Sequence, residues 1–134
     1  FYRLSNDVAT NPGPICSFAS PPPNVRWLKI SHINTRRILP KIDSIRLLMK
    51  DKPFDIFSTS ETWLNPSIFD SEVAITGHSI VRNDRLSKIG GGTAVYVCHG
   101  IPIKTHFDLM NNNLEICMTE ISRPKTKKMF ICCI

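Results

Sequence analysis

Between Val25 and Leu64 the hydrophobic period changes twice, and that change does most to limit the fold. Val25-Arg26-Trp27-Leu28-Lys29-Ile30-Ser31-His32-Ile33-Asn34 sets Leu28 and Ile30 on one face and Lys29 and Ser31 on the other, the alternation of a strand. Ile38, Ile42, Ile45, Leu48 and Met49 then recur at helical spacing, with Pro40 suited to a first helical turn and Lys52-Pro53 ending the pattern. This spacing predicts an amphipathic helix over about 38–50. Phe54-Asp55-Ile56-Phe57 is a short apolar run that turns polar at Ser58-Thr59-Ser60 and delivers one carboxylate, Glu61. Trp63 and Leu64 follow and can pin the turn to a core. Strand, helix, strand is a crossover unit, which predicts two parallel strands with a right-handed connection. Their carboxyl ends, Asn34 and Glu61, then share one edge of a sheet, where ligands gather in folds of this kind.

The rest of the chain reads as strands. One is expected near 73–83, running into Arg82-Asn83-Asp84-Arg85, and another at Thr93–Cys98 after Gly90-Gly91-Gly92. The glycines suit a tight hairpin; no G-K-[ST] follows, so they are not a phosphate loop. Ile101 to Phe107 predicts a short edge strand that tolerates Pro102. Leu114 to Ile121 alternates, residues 123–128 form a basic turn, and Met129 to Ile134 begins a further strand. One helix and six or seven strands predict layered α/β architecture with largely antiparallel later strands.

The chain's 134 residues suffice for one modest core. With 42% hydrophobic and 21% charged residues the composition is globular. Seventeen Lys and Arg against eleven Asp and Glu give a net charge of +6, a lean toward polyanionic partners. The five cysteines Cys16, Cys98, Cys117, Cys132 and Cys133 are odd in number and lack C-x-x-C spacing. They read as reduced thiols of an intracellular protein, not as a disulfide framework or zinc site. No apolar run approaches the roughly 18 residues of a membrane span, and no signal peptide is visible. The chain opens at Phe1 without Met and stops at Ile134 inside an apolar run, so both ends look cut and a fragment is expected.

Residues 1–24 form a leader, because Asn11-Pro12-Gly13-Pro14 and Pro21-Pro22-Pro23 oppose regular helix. Asp7 to Pro14 resembles the ribosome-skipping peptide, pattern D-x-E-x-N-P-G-P, whose junction would fall between Gly13 and Pro14. Ala9 stands where that pattern has Glu.

The order of Asn34, helix, F-D-I-F-S-T-S-E-T-W-L (54–64), G-H-S-I-V-R-N-D-R (77–85) and G-G-G-T-A-V-Y-V (90–97) carries a resemblance. Residues 26–134 look like the amino-terminal half of the endonuclease/exonuclease/phosphatase superfamily, most similar to the apurinic-type endonuclease domain of non-LTR retrotransposons. The resemblance implies a truncated two-sheet α/β sandwich, deoxyribonuclease I-like, with 25–134 as its domain. It implies a Mg²⁺-dependent phosphodiesterase acting on DNA in the nucleus, with no membrane partner and with a downstream reverse transcriptase in the parent polyprotein. Glu61 matches the metal-binding Glu, and Asn34 matches the Asn beside the metal that orients the phosphate or the acid. A hard divalent cation wants oxygen ligands, one or two of them carboxylate.

The superfamily's later motifs do not occur in the 134 residues: the tyrosine of Y-x-P, the Asp/Asn pair of G-D-F-N and the terminal Asp-His pair. The chain is therefore expected to be inactive alone. A phosphatase acting on small phosphate esters and a non-catalytic element remnant remain as alternatives. Arg82 and Arg85, with Lys88 nearby, read either as loop-holding ion pairs with Asp84 or as phosphate contacts. His106 and Asp108 read as framework, His32 as a hydrogen-bonded strand residue and His78 as a packing residue.

Overall fold

A computed structural model describes residues 27–86, 88–110, 114–122 and 127–134. The leader, its skipping-like junction at Gly13 and Pro14, and the first part of the basic turn lie outside the described residues.

The alternating stretch pairs as β1 (Ile30–Asn34) with β2 (Ile56–Ser60), in parallel, from Ile30 opposite Ile56 to Asn34 opposite Ser60. Between them runs α1 (Ile42–Asp51), entered through a 3₁₀ turn at Leu39–Lys41. Pro40 lacks an amide hydrogen, which the first turn does not need. The β4 strand (Thr93–Cys98) adds antiparallel to β2, and β3 (His78–Asn83) antiparallel to β4, giving the order β1-β2-β4-β3. A second, antiparallel sheet has the order β5-β6-β7, formed by Ile103–Thr105, Cys117–Ile121 and Met129–Cys133.

Period-two alternation divides the apolar residues of the first sheet between two cores. Phe57, Ala94 and Tyr96 point to the helix side, against Ile38, Ile42, Ile45 and Met49. Phe57 and Tyr96 meet with ring centroids 5.8 Å apart, and the buried Tyr96 hydroxyl donates to the Val73 carbonyl at 3.0 Å. Ile56, Val95 and Val97 point the other way, onto Cys117, Ile121 and Cys133 of the second sheet. Cys98, Cys117, Cys132 and Cys133 are all free thiols.

Among the boundaries that differ from the sequence expectation, three do so for a tertiary reason. The third strand starts at His78, not near 73. Val73 and Ile75 are buried by packing on α1, and Arg46 of that helix donates to the carbonyls of Glu72 and Ala74, holding the segment off the sheet. The sixth strand begins only at Cys117, because Glu115 takes a left-handed backbone, φ +50°, that ends regular pairing. The first strand begins at Ile30, where the Asp55 carboxylate captures the Lys29 amide at 2.9 Å.

On the outer face of β6, Glu120 accepts from Lys128 at 2.8 Å, sits 3.0 Å from the His106 ring and takes the Ser122 hydroxyl at 3.3 Å. His106 and Asp108 therefore join this framework cluster. The Lys128 and His106 bonds hold the Glu120 carboxyl down at about 2, against an ordinary 4.5. A depressed carboxyl stabilises the fold above its unfolded value, and that contribution disappears as pH falls through the folded one. The melting temperature is expected to drop between pH 4.5 and about 2. Glu120→Gln should melt lower at neutral pH and show a flatter acid limb by circular dichroism; parallel limbs would show that the pairing carries no stability.

Candidate active site at the sheet edge

Parallel pairing brings the ends of β1 and β2 together, and the two chains stay joined past the strands. The Thr35 amide donates to the Ser60 carbonyl at 3.0 Å, Arg37 to Glu61 at 2.8 Å and Ile38 to Thr62 at 2.9 Å. On the other side, the Thr62 amide donates to the Gly92 carbonyl at 3.1 Å and Trp63 to Gly91 at 2.9 Å. Residues 61–63 are thus laced between the end of β1 and the glycine turn before β4. Glu61 (φ +54°) and Trp63 (φ +56°) both sit in the left-handed region, where a side chain costs about 1–2 kcal/mol each. The lacing on both flanks over-determines this backbone, and such strain clusters at functional sites.

The turn aims the Glu61 carboxylate back at its own scaffold. Trp63 donates its indole Nε1–H to Oε2 at 2.9 Å, and the Gly91 amide donates to the same oxygen at 3.1 Å. The indole bond, the Gly91 amide and the Arg85 charge together hold this carboxyl below its ordinary value despite some desolvation. No bond reaches Oε1 among the described residues. Asn34 lies on the same edge, exposed, its Oδ1 accepting the Arg36 amide at 3.1 Å. Asn34 and Glu61 thus follow one another across the ends of adjacent strands, while Asn34 lines a separate hollow with Lys41 and Leu48.

Beside Glu61 runs a groove of about 540 Å³, lined by Arg37, Trp63, Asn65, Arg85, Lys88 and Ile89 among others. Arg85 and Lys88 of the sequence reading lie in it. Arg82 does not: its Nε pairs with Asp70 at 3.2 Å and its Nη2 with Asp84 at 3.3 Å and the Ile68 carbonyl at 2.7 Å, with Nη1 buried beside them. Burial raises the Asp84 carboxyl, with Arg82 opposing. Arg37, which lines the groove, and Glu115, which braces Arg85, were not foreseen. Arg37 reaches it because Arg36 and Arg37 take φ of +39° and +75°, a reversal no residue type there announces. Glu115 pairs with the Arg85 Nε and accepts the Gly92 amide at 2.6 Å. Its one signal was a charge at the start of a half-buried strand.

The donors suit a hard divalent cation in part. Glu61 is ionised and keeps one carboxylate oxygen without a protein bond, and Mg²⁺ is commonly held by one or two carboxylates, with water and phosphate completing its shell. Among the described residues no group of three or more His, Cys, Asp or Glu converges on one point.

No protein-family model matches the sequence, and no curated protein matches it. Solved structures do. The AP endonuclease LMAP from Leishmania major superposes over 78% of this chain with a TM-score of 0.59 at 19% identity. An AP endonuclease from Archaeoglobus fulgidus covers 72% with a TM-score of 0.56 at 20% identity. The shared fold is a deoxyribonuclease I-like α/β sandwich. A 3′ phosphatase of that fold, NExo from Neisseria, bound to product DNA hairpin, covers 78% with a TM-score of 0.54 at 15% identity. The chain spans 38% of the first two neighbours and 40% of the third. The two sheets described above match part of that sandwich.

Proposed function

We propose that the chain is the amino-terminal part of a metal-dependent DNA endonuclease, of the kind that nicks target sites for non-LTR retrotransposons. One observation carries this reading. An ionised acid, Glu61, is held by Trp63 and Gly91 at the carboxyl edge of a parallel strand pair, beside a groove lined by Arg37, Arg85 and Lys88. Neighbours of this fold include two AP endonucleases and a phosphatase with a DNA product.

Within that reading Glu61 would hold Mg²⁺, with Asn34 next to it. The ion, when bound, supplies positive charge to the phosphoryl and leaving oxygens. The chain's own residues do the rest of the positioning. Arg37, Arg85 and Lys88 face the groove as cations for backbone phosphates. Trp63 orients Glu61 and keeps that acid charged. The Asn34 amide nitrogen can donate to a phosphate while its oxygen takes the Arg36 amide.

No residue here supplies the general base, because Y-x-P, G-D-F-N and the Asp-His pair are absent from the 134 residues. Among the described residues β1 and β7 are edge strands, β1 exposing Ile30 and Ile33 and β7 with its tail Phe130 and Ile134, which favours completion by further chain. Unpaired apolar edges of this kind also favour aggregation. The test is plasmid nicking across a Mg²⁺ titration. The chain alone should give none; joined to the remaining strands of a superfamily domain it should nick. The 3′ phosphatase among the neighbours keeps phosphomonoester cleavage as a second reading, tested with the same protein on a 3′-phosphorylated end.

The retroelement origin rests on S-E-T-W-L and the leader. It brings with it a downstream reverse transcriptase as partner and work in the nucleus. Ala9 weakens the skipping pattern at Gly13-Pro14. In a translation assay Ala9→Glu should raise the split product; unchanged full-length product from both versions would leave an ordinary linker.

A further inference from the structure

We propose that Glu115 is a positioning residue of this site: one carboxylate that aims the Arg85 guanidinium into the groove and, through the Gly92 amide, fixes the glycine turn on which Glu61 rests. This builds on the nuclease reading above and adds to it a residue from the second sheet.

The placement of Glu115 is set by its backbone. Thr93 Oγ1 donates to the Glu115 carbonyl at 2.6 Å, and Asn83 Nδ2 donates to the Ile116 carbonyl at 3.1 Å. These bonds staple the entry of β6 to the end of β3 and the start of β4. The left-handed φ of +50° at Glu115 then turns its side chain toward the glycines. The two carboxylate oxygens serve different partners. Oε1 pairs with Arg85 Nε, and Oε2 accepts the Gly92 amide.

The neighbouring amide, Gly91, donates to Glu61. Successive amides of one turn thus serve two acids, Glu115 from the second sheet and Glu61 from the first. Gly91 has no room for a side chain, because a Cβ there would meet the Glu115 carboxylate and the Arg85 guanidinium.

The choice of Nε matters. A guanidinium bound through Nε keeps both Nη groups for another partner, and no bond to either is present among the described residues. Those two groups are the edge that grips a phosphate in a fork, and Arg85 lines the groove. A carboxylate beside an arginine can also do the opposite, cancelling its charge and weakening anion binding. The two roles predict opposite signs when the carboxylate is removed.

The experiment is fluorescence anisotropy of the 134-residue chain with a short fluorescein-labelled DNA duplex, over a salt series. Wild type, Glu115→Gln, Arg85→Met and the double variant are compared, with thermal melts confirming that each is folded. Glu115→Gln adds one net positive charge, yet it is expected to bind about three- to tenfold more weakly, with the log–log salt slope reduced by about one. In the Arg85→Met background the same change should cause no weakening. If Glu115→Gln unfolds, Arg85→Lys replaces it: the charge stays, the fork is lost, and affinity should fall toward that of Arg85→Met. Unchanged or tighter binding by Glu115→Gln, or by Arg85→Lys where it stands in, overturns the positioning role and leaves the nuclease reading intact. An absence of salt-dependent DNA binding by the wild type overturns the nuclease reading, and this inference with it.

Discussion

Gly91→Ala is expected to lower the melting temperature by roughly 5–15 °C, more than the backbone cost alone. Two effects add. The left-handed φ of +71° costs an alanine about 1 kcal/mol. The new Cβ would also drive into the Arg85–Glu115 pair, which packs directly on the Gly91 Cα. Displacing those side chains disturbs the Arg85–Glu115 pair and the bond from the Gly92 amide. Gly77 and Gly100 separate the two effects. Both have positive φ, +80° and +88°, and neither would place a Cβ within 4 Å of anything. Gly100→Ala should therefore show the backbone cost alone, about 1 kcal/mol. Thermal denaturation of the two alanine variants beside wild type makes the comparison. Equal melting temperatures for Gly91→Ala and Gly100→Ala would mean that the pair moves aside freely and does not brace the turn.

What the sequence revealed of this site follows from how local each signal was. The β1–α1–β2 unit was legible because the period changes from two to 3.6 and back, with Lys52-Pro53 as punctuation. That alone placed Asn34 and Glu61 on one edge, since parallel pairing leaves no other arrangement for two strands joined by one helix. Arg82 and Arg85 could not be separated in sequence, because they flank the same Asp84. Tertiary contacts divide them: Asp70 and the Ile68 carbonyl, from the loop before β3, engage Arg82, while Glu115 from the second sheet engages Arg85.

The start of β3 was misplaced for a related reason. Val73 and Ile75 alternate with polar residues as in a strand, but the partner that buries them is α1. Least legible of all were the left-handed residues Arg36, Arg37, Glu61, Trp63 and Glu115. None is a glycine, so nothing in their chemistry signals the turn; Arg37, Glu61, Trp63 and Glu115 are held by hydrogen bonds from chain distant in sequence, while the Arg36 amide is held locally by Asn34. Arg37 and Trp63 line the groove and Glu115 braces Arg85 within it, so the parts of the site hardest to foresee are those that the two sheets build jointly.

Glu61→Gln is the substitution with the largest expected effect on activity. In the completed domain it should reduce Mg²⁺-dependent nicking a hundredfold or more, since about 2.7 kcal/mol of lost transition-state stabilisation already gives that factor. The amide matches the carboxylate in size, and its remaining oxygen can still accept either the Trp63 indole or the Gly91 amide. The turn should hold, so a large fall in rate would report on the lost charge and not on a collapsed loop. DNA affinity points the other way. Binding to a polyanion depends on Lys and Arg contacts with phosphate, and replacing Glu61 removes a negative charge beside a groove lined by Arg37, Arg85 and Lys88. Affinity should stay level or rise slightly while cutting disappears. A Mg²⁺ titration adds a further check, because a weakened cation site shows partial recovery at high Mg²⁺, whereas a misfolded turn does not. Equal nicking by wild type and Glu61→Gln would show that this acid does not hold the metal, and the edge where β1 and β2 end would then need another explanation for its four left-handed residues, Arg36, Arg37, Glu61 and Trp63.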